Sequence, residues 1–196
     1  FNLLRSNDLI WSYVVNNYLL GKDPAPFDLL YWNSDSTRMP AGVHSFYLRE
    51  CYLENKLSHG KLVLDNVRID LKKVKAPIYN LAAKEDHIAP LPSVFRLGKY
   101  FGGETTLVVS GSGHIAGVVN PPAANKYQYW TDGKSATSHS EWLKTATEHA
   151  GSWWPHWLEW VTAKSGDKIT APVPGEGGLA VICDAPGEYV RVSGIT

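Results

Sequence analysis

Cysteine is scarce: the 196 residues hold only Cys51 and Cys183. The two lie far apart, form no Cys-x-x-Cys pair and lack metal-ligand spacing. That excludes a disulfide scaffold or zinc ribbon and reads as two reduced thiols of a cytosolic protein. Net charge is missing as well, with 19 basic against 19 acidic side chains. The balance removes the electrostatic argument for nucleic acid or an anionic membrane as principal partner. No apolar run approaches the roughly 20 residues of a membrane span. There is no Gly-rich phosphate loop, no internal repeat and no low-complexity segment. The seven histidines are scattered without ligand spacing, so no metal is expected. No basic-apolar-small leader stands at the start. The chain opens on Phe1 and runs almost at once into a helix pattern, so the expectation is the C-terminal part of a longer protein.

Aromatics are plentiful by contrast. The chain has eight tryptophans, four of them between Trp153 and Trp160. Three textures follow one another. Residues 1 to about 60 read as helical. Ser6 or Asn7 caps a helix with apolar positions Leu9, Ile10, Tyr13, Val14 and Leu20, ending at Gly21. Pro24 and Pro26 interrupt the chain before a short segment, Phe27 to Trp32, and a polar turn, Asn33 to Ser36. From Pro40 a second long helix is expected, with Val43, Tyr47 and Cys51, joined by Leu48 and Tyr52, as a buried stripe, ending near His59-Gly60.

Residues 61 to about 120 turn to strand texture. Lys61-Leu62-Val63-Leu64 and Val67 to Leu71 flank Asp65-Asn66, the pattern of a hairpin. Ala76 to Leu81 reads as a strand, and the segment after Pro92 as a helix ending at Gly102-Gly103. Thr105 to Val109 reads as a strand buried on both faces. Strand, helix and strand with short links predict a right-handed parallel crossover. Beyond residue 121 come a Pro-rich turn, an exposed loop at 131–138, and helices at 140–149 and 152–164. The tail carries strand-like pieces at 179–183 and 189–192.

Two loop residues stand out, Asp86 in Lys84-Glu85-Asp86-His87 and His114 in Gly111-Ser112-Gly113-His114. An acid followed about 30 residues later by a histidine, each just after a strand, is the closing order of a nucleophile-acid-histidine triad. Functional loops in parallel sheets lie at the carboxyl ends of strands, and a rigid strand end can hold a base within reach of its partners. Imidazole suits the role because its ordinary pKa lies near neutrality. Taken alone, His114 reads as a surface histidine and Asp86 as one member of a solvated charge cluster. Glu85 competes for the acid role, and His87 reads as a neighbour. No Gly-x-Ser-x-Gly or Gly-x-Cys-x-Gly elbow occurs. Ser110 and Ser112 stand too close to His114 for an elbow, and neither Cys51 nor Cys183 has the surroundings of a reactive thiolate. Trp153, Trp157 and Trp160 follow i, i+4, i+7 and read as core packing, with grip on an apolar partner as the secondary reading.

Several stretches together resemble the C-terminal part of the catalytic domain of class I polyhydroxyalkanoate (poly-3-hydroxybutyrate) synthases. They are Phe1 to Arg5, Asn7 to Leu9, Pro26 to Asn33, Glu85 to Pro90, Gly111 to Pro122 and Gly151 to Pro155, covering residues 1 to about 165 in family order. The resemblance implies the C-terminal part of an α/β-hydrolase fold, a parallel sheet with flanking helices (61–196), preceded by a mostly helical cap segment (1–60). It implies an acyltransferase that polymerises (R)-3-hydroxyacyl-CoA, mainly 3-hydroxybutyryl-CoA, and releases CoA. The family's acid and histidine map onto Asp86 and His114, and its cysteine onto an elbow upstream of this chain. No cofactor is implied, the CoA thioester being substrate. The implied partners are the growing polyester chain, the upstream half of the same enzyme and a second copy joined through the cap. The implied location is the cytoplasm, at the polyester granule surface. Two alternatives stay open: an esterase or depolymerase of the same fold, and a non-catalytic cap and docking module.

Overall fold

In the computed structural model, which describes residues 10–23 and 39–192, two left-handed residues make the first sheet. Asp65 and Asn66 have φ of 46° and 60°, the pair of positive values that a two-residue hairpin turn matched to strand twist requires. They join β1 (Val63–Leu64) to β2 (Val67–Arg68), with Leu64 opposite Val67. The strands are shorter than expected.

The second sheet has the order β3 (Ile78–Ala83), β4 (Thr105–Ser110), β5 (Gln128–Thr131), β6 (Thr147–Ala150). The protein is therefore mixed α/β. β3 and β4 are parallel and in register from Ile78–Thr105 to Ala83–Ser110, as expected. β5 runs antiparallel to both its neighbours, β4 and β6, so the sheet is mixed rather than wholly parallel. β5 takes Thr131, which is buried, from the loop expected to be exposed at 131–138, and β6 replaces the end of an expected helix. The helix expected at 140–149 stops at Thr145, and Thr147-Glu148-His149-Ala150 instead pairs with β5. Glu and Ala favour helix, but helix propensity is a weak preference that a paired backbone overrides.

Side-chain alternation gives the sheet two covered faces. Ala82, Val109 and Trp130 meet Leu91 and Trp142 in the buried core. Leu91 belongs to α2 (Leu91–Phe95), begun by Pro90 and Pro92 and extended by a 3-10 turn to Lys99. Trp142 belongs to α3 (His139–Thr145), capped by Ser138, whose side chain accepts from the Glu141 amide at 3.2 Å. On the opposite face Tyr79 and Tyr129 meet α4 (Trp154–Thr162). Tyr79 Oη lies 2.8 Å from His156 Nδ1, and Trp160 Nε1 donates to Thr106 Oγ1 at 3.1 Å. Burial pushes the Tyr79 phenol well above its ordinary pKa. Val108 and Val109, adjacent on β4, are both fully buried, which requires a cover on each face. The α4 face is Trp153, His156 and Trp160, whereas Trp157 of the expected stripe is exposed.

The helix after Pro40, α1 (Ala41–Phe46), continues as a π-helical turn to Leu53 and stops there, short of His59-Gly60. None of its residues is buried: Val43 is 54% and Tyr52 71% exposed. Apolar periodicity marks a face but does not supply what covers it. By compactness Ala41–Ala171 forms one unit, and Phe1–Pro40 with Pro172–Thr196 the other. The expected boundary near residue 60 falls within the first of these. In the second unit, Val14–Leu19 is a π-helical turn, and Gly21 beyond it has φ 62°. The proposed caps Ser6 and Asn7, Leu9, the segment Phe27–Trp32 and the turn Asn33–Ser36 lie outside the described residues. The runs at 179–183 and 189–192 form no strand; Tyr189–Arg191 is a 3-10 turn, and Leu179 and Ile182 are exposed. Strand-favouring composition needs a pairing edge to act on. Among the described residues no helix is long and apolar enough to cross a membrane.

Candidate active site

β3 and β4 are parallel and end together at Ala83 and Ser110, so their loops leave the same end of the sheet. Backbone pairing continues past both ends: Lys84 N donates to Ser110 O at 2.8 Å and Glu85 N to Ser112 O at 3.0 Å. The two sequence-selected residues follow these rungs. Asp86 Oδ1 accepts from the amides of Ile88 at 2.8 Å and Ala89 at 2.9 Å, which curls the loop around the carboxylate. Its second oxygen, Oδ2, lies 2.7 Å from His114 Nδ1. The Asp86 side chain is 6% exposed and the His114 side chain 43%. The structure thus brings together an anchored acid and an accessible imidazole.

Burial by itself raises the Asp86 pKa. The Ala89 amide, the His114 ring and the Ile88 amide together outweigh it and hold the carboxyl below the usual carboxylate range. Facing a carboxylate, Nδ1 of His114 is the protonated nitrogen. Nε2 then keeps its lone pair, and it carries no hydrogen bond among the described residues.

The loop that carries His114 is tight. Ser112 takes φ 70°, and Gly111 N donates to Gln128 O at 2.7 Å. Gly117 is buried, and a Cβ there would collide with the Gly111 carbonyl and crowd the Gly113 carbonyl and Ser110 Oγ. The composition of this loop follows from that approach. Geometry also separates the competing acids, since Glu85 is exposed and meets Ser112 through its backbone. His87 is exposed beside Asp86. Ser110 is buried, its hydroxyl directed to the Ala82 carbonyl at 3.4 Å. Within the unit Ala41–Ala171 no serine or cysteine hydrogen-bonds the His114 ring. Cys51 lies on the turn that follows α1, and both cysteines are free. Among the described residues no cluster of three or more His, Cys, Asp or Glu could hold a metal.

Sequence reasoning missed the support for the His114 loop. Trp153 Nε1 and Trp154 Nε1 both donate to the Val118 carbonyl at 3.1 Å, and buried Ser152 Oγ donates to Asn120 O at 2.6 Å. The adjacent tryptophans at a helix start were a visible signal, but nothing in their spacing names a carbonyl 35 residues earlier.

The chain is 62% identical over 192 residues to the poly(3-hydroxyalkanoate) polymerase subunit PhaC of Rhizobium meliloti, covering 98% of this chain and 31% of that protein. It is 58% identical over 193 residues to the poly(3-hydroxyalkanoate) polymerase of Methylorubrum extorquens, covering 98% and 32%. This chain belongs to the poly(3-hydroxyalkanoate) polymerase family. It is also 44% identical over 193 residues to the polymerase subunit PhaC of Cupriavidus necator, covering 97% and 33%. The chain spans about a third of the length of these polymerases. No family model matches it.

Proposed function

We propose that this chain carries the acid and the histidine of a poly(3-hydroxyalkanoate) polymerase active site. One observation carries the reading: the 2.7 Å pairing of a buried carboxylate, Asp86, with an accessible imidazole, His114, on adjacent parallel strand ends. It stands in a chain 62% identical to a polymerase subunit. That strand-end placement fits the carboxyl-terminal part of an α/β-hydrolase sheet.

The nucleophile is a cysteine thiol outside these 196 residues. Asp86 accepts a hydrogen bond from Nδ1–H, which keeps its proton, and so presents the Nε2 lone pair, which takes the thiol proton. The thiolate attacks the thioester carbonyl of (R)-3-hydroxyacyl-CoA. The carbon–sulfur bond to CoA breaks, and the departing thiolate takes the proton back from Nε2. A 3-hydroxyl from another hydroxyacyl unit then attacks the acyl-enzyme, giving its proton to Nε2. A new ester forms, and the enzyme thiol is released with that proton. Of the two roles open to Asp86, orientation of His114 is better supported than direct activation of the hydroxyl. Both carboxylate oxygens are occupied, and a pKa held below the usual range makes a weak base.

The same reading takes 3-hydroxybutyryl-CoA as main substrate and needs no cofactor. Residues 1–60 act as cap, and the exposed apolar face of α1 suits a second copy of the enzyme. The place of action is the cytoplasm, at the polyester granule surface. The test is His114→Gln in the complete polymerase. CoA release from 3-hydroxybutyryl-CoA should be abolished, and near-normal turnover would overturn the assignment. The unsubstituted enzyme should yield high-mass polyester; free hydroxy acid alone would favour the esterase or depolymerase reading. Undiminished catalysis after His114→Gln, with granule binding retained, would favour the docking module.

A further inference from the structure

The His114 loop is held at its start by the sheet and at its end by a separate device. Residues 84 and 85 bind the carbonyls of Ser110 and Ser112, but these contacts stop before His114. Beyond it, the chain turns back through Gly117 N to Gly113 O at 3.0 Å and Val118 N to Ile115 O at 3.1 Å. The position of this turn depends on where Val118 is anchored. Val118 O receives two indole N–H groups, from Trp153 and Trp154, each at 3.1 Å. Two residues on, Asn120 is buried, accepts from Ser152 Oγ through its carbonyl at 2.6 Å and donates through Nδ2 to Lys126 O at 2.7 Å. Ser152 Oγ also accepts from Trp154 N at 3.2 Å, which ties the clamp into the first turn of α4. Trp153 packs on Tyr79 of β3, with ring centroids 6.1 Å apart. Trp153 therefore stands on the same sheet that positions Asp86, with Trp154 packed against it at 6.3 Å between ring centroids.

We propose that Trp153 and Trp154 are positioning residues that hold His114 in line with Asp86 through the Val118 carbonyl. This rests on the functional reading above. A carbonyl oxygen has two lone pairs, and here each has its own indole donor. Removal of one donor leaves the carbonyl satisfied, whereas removal of both frees the turn that carries His114. Two independent packing roles would give effects that add; a shared acceptor gives a double loss larger than the sum.

The experiment uses the complete polymerase with Trp153→Phe, Trp154→Phe and the pair, read by single-turnover acylation with 3-hydroxybutyryl-CoA and by kcat and KM. Each single variant should cost less than about twofold, and the pair on the order of 10–100-fold in kcat, beyond the about fourfold that additive losses allow, with KM little changed. On an Asp86→Asn background the pair should add little, because the alignment it protects is already lost. Additive losses, a loss confined to KM, or an undiminished effect on the Asp86→Asn background would each overturn the proposal. Should the double variant fail to fold, 3-benzothienylalanine at both positions keeps the bicyclic rings and replaces only the N–H donors by sulfur. The same kcat loss is then expected, and unchanged kcat overturns the proposal. Near-normal turnover of His114→Gln would instead refute the functional reading, independently of the tryptophans.

Discussion

Asp86→Asn in the complete polymerase separates the orientation of His114 from everything else the carboxylate does. The asparagine amide is nearly isosteric. Its oxygen can still accept from Ile88 and Ala89, which lie 2.8 and 2.9 Å from Asp86 Oδ1. Its NH₂ then faces His114 Nδ1 across the present 2.7 Å contact and donates where the carboxylate accepted. The ring must answer with a lone pair on Nδ1, so its proton moves to Nε2. An imidazole in that tautomer cannot accept a thiol proton there. A tautomer error of this kind costs on the order of 10⁴-fold in kcat in a comparable acid–histidine triad. That corresponds to about 5.4 kcal/mol of barrier. Stability should fall by only about 1 kcal/mol, because the amide bonds keep an acceptor and lose only charge assistance. The assay is CoA release from 3-hydroxybutyryl-CoA, with acylation and chain extension timed separately. Both steps should fall together. Turnover within about threefold of the unsubstituted enzyme would refute the reasoning. Loss of extension with intact acylation would transfer Asp86 to the role of hydroxyl activator.

Further outcomes follow from the same contacts. Because the Asp86 pKa is lowered in the fold, its carboxylate adds stability above the unfolded value, near pH 4, that is lost as pH falls through the folded value. Urea melts should therefore show the unsubstituted protein losing more stability than Asp86→Asn between about pH 5 and lower values, and parallel profiles would contradict the linkage. Gly117→Ala places a methyl group against the Gly111 carbonyl. It should cost about 1–3 kcal/mol in a denaturation midpoint and lower activity by shifting the His114 loop, whereas unchanged melting would deny the close approach. Trp142→Ala empties the core between α3 and the sheet and should cost about 3–5 kcal/mol, so a loss under about 1 kcal/mol would mean the site collapses freely. Ser138→Ala removes the α3 cap and should cost about 1 kcal/mol by the same measurement, with no change as the refuting result.

Several elements were legible because their causes are local. Asp65-Asn66 marks its own turn, since few other residue pairs adopt two positive φ values in succession. Thr105 to Val109 reads as a buried strand because β-branched and apolar residues fill both faces. The order acid then histidine on strand ends was likewise readable, because chain order and strand texture are properties of the linear sequence. β5 and β6 were not legible. Gln128-Tyr129-Trp130-Thr131 is short and half polar, and Thr147 to Ala150 continues a helix-like composition. Each becomes a strand only through its partner, as Trp130 Nε1 donating to Glu148 Oε2 at 3.0 Å illustrates.

Residue order alone puts Asp86 and His114 on loops after two parallel strands and leaves these 196 residues without a nucleophile in an elbow. Those are matters of residue type, order and period, which the chain carries before it folds. That Asp86 rather than Glu85 meets the imidazole follows from the folded arrangement of the two loops. So do the absence of any buried residue from the stripe on α1 and the turn after it, and the convergence of two indoles on the Val118 carbonyl. Each of these depends on which surface comes to lie against which, across separations such as the 28 residues from Asp86 to His114 and the 35 from Val118 to Trp153. Hydrogen bonds and burial are made between such surfaces, and no local propensity encodes them.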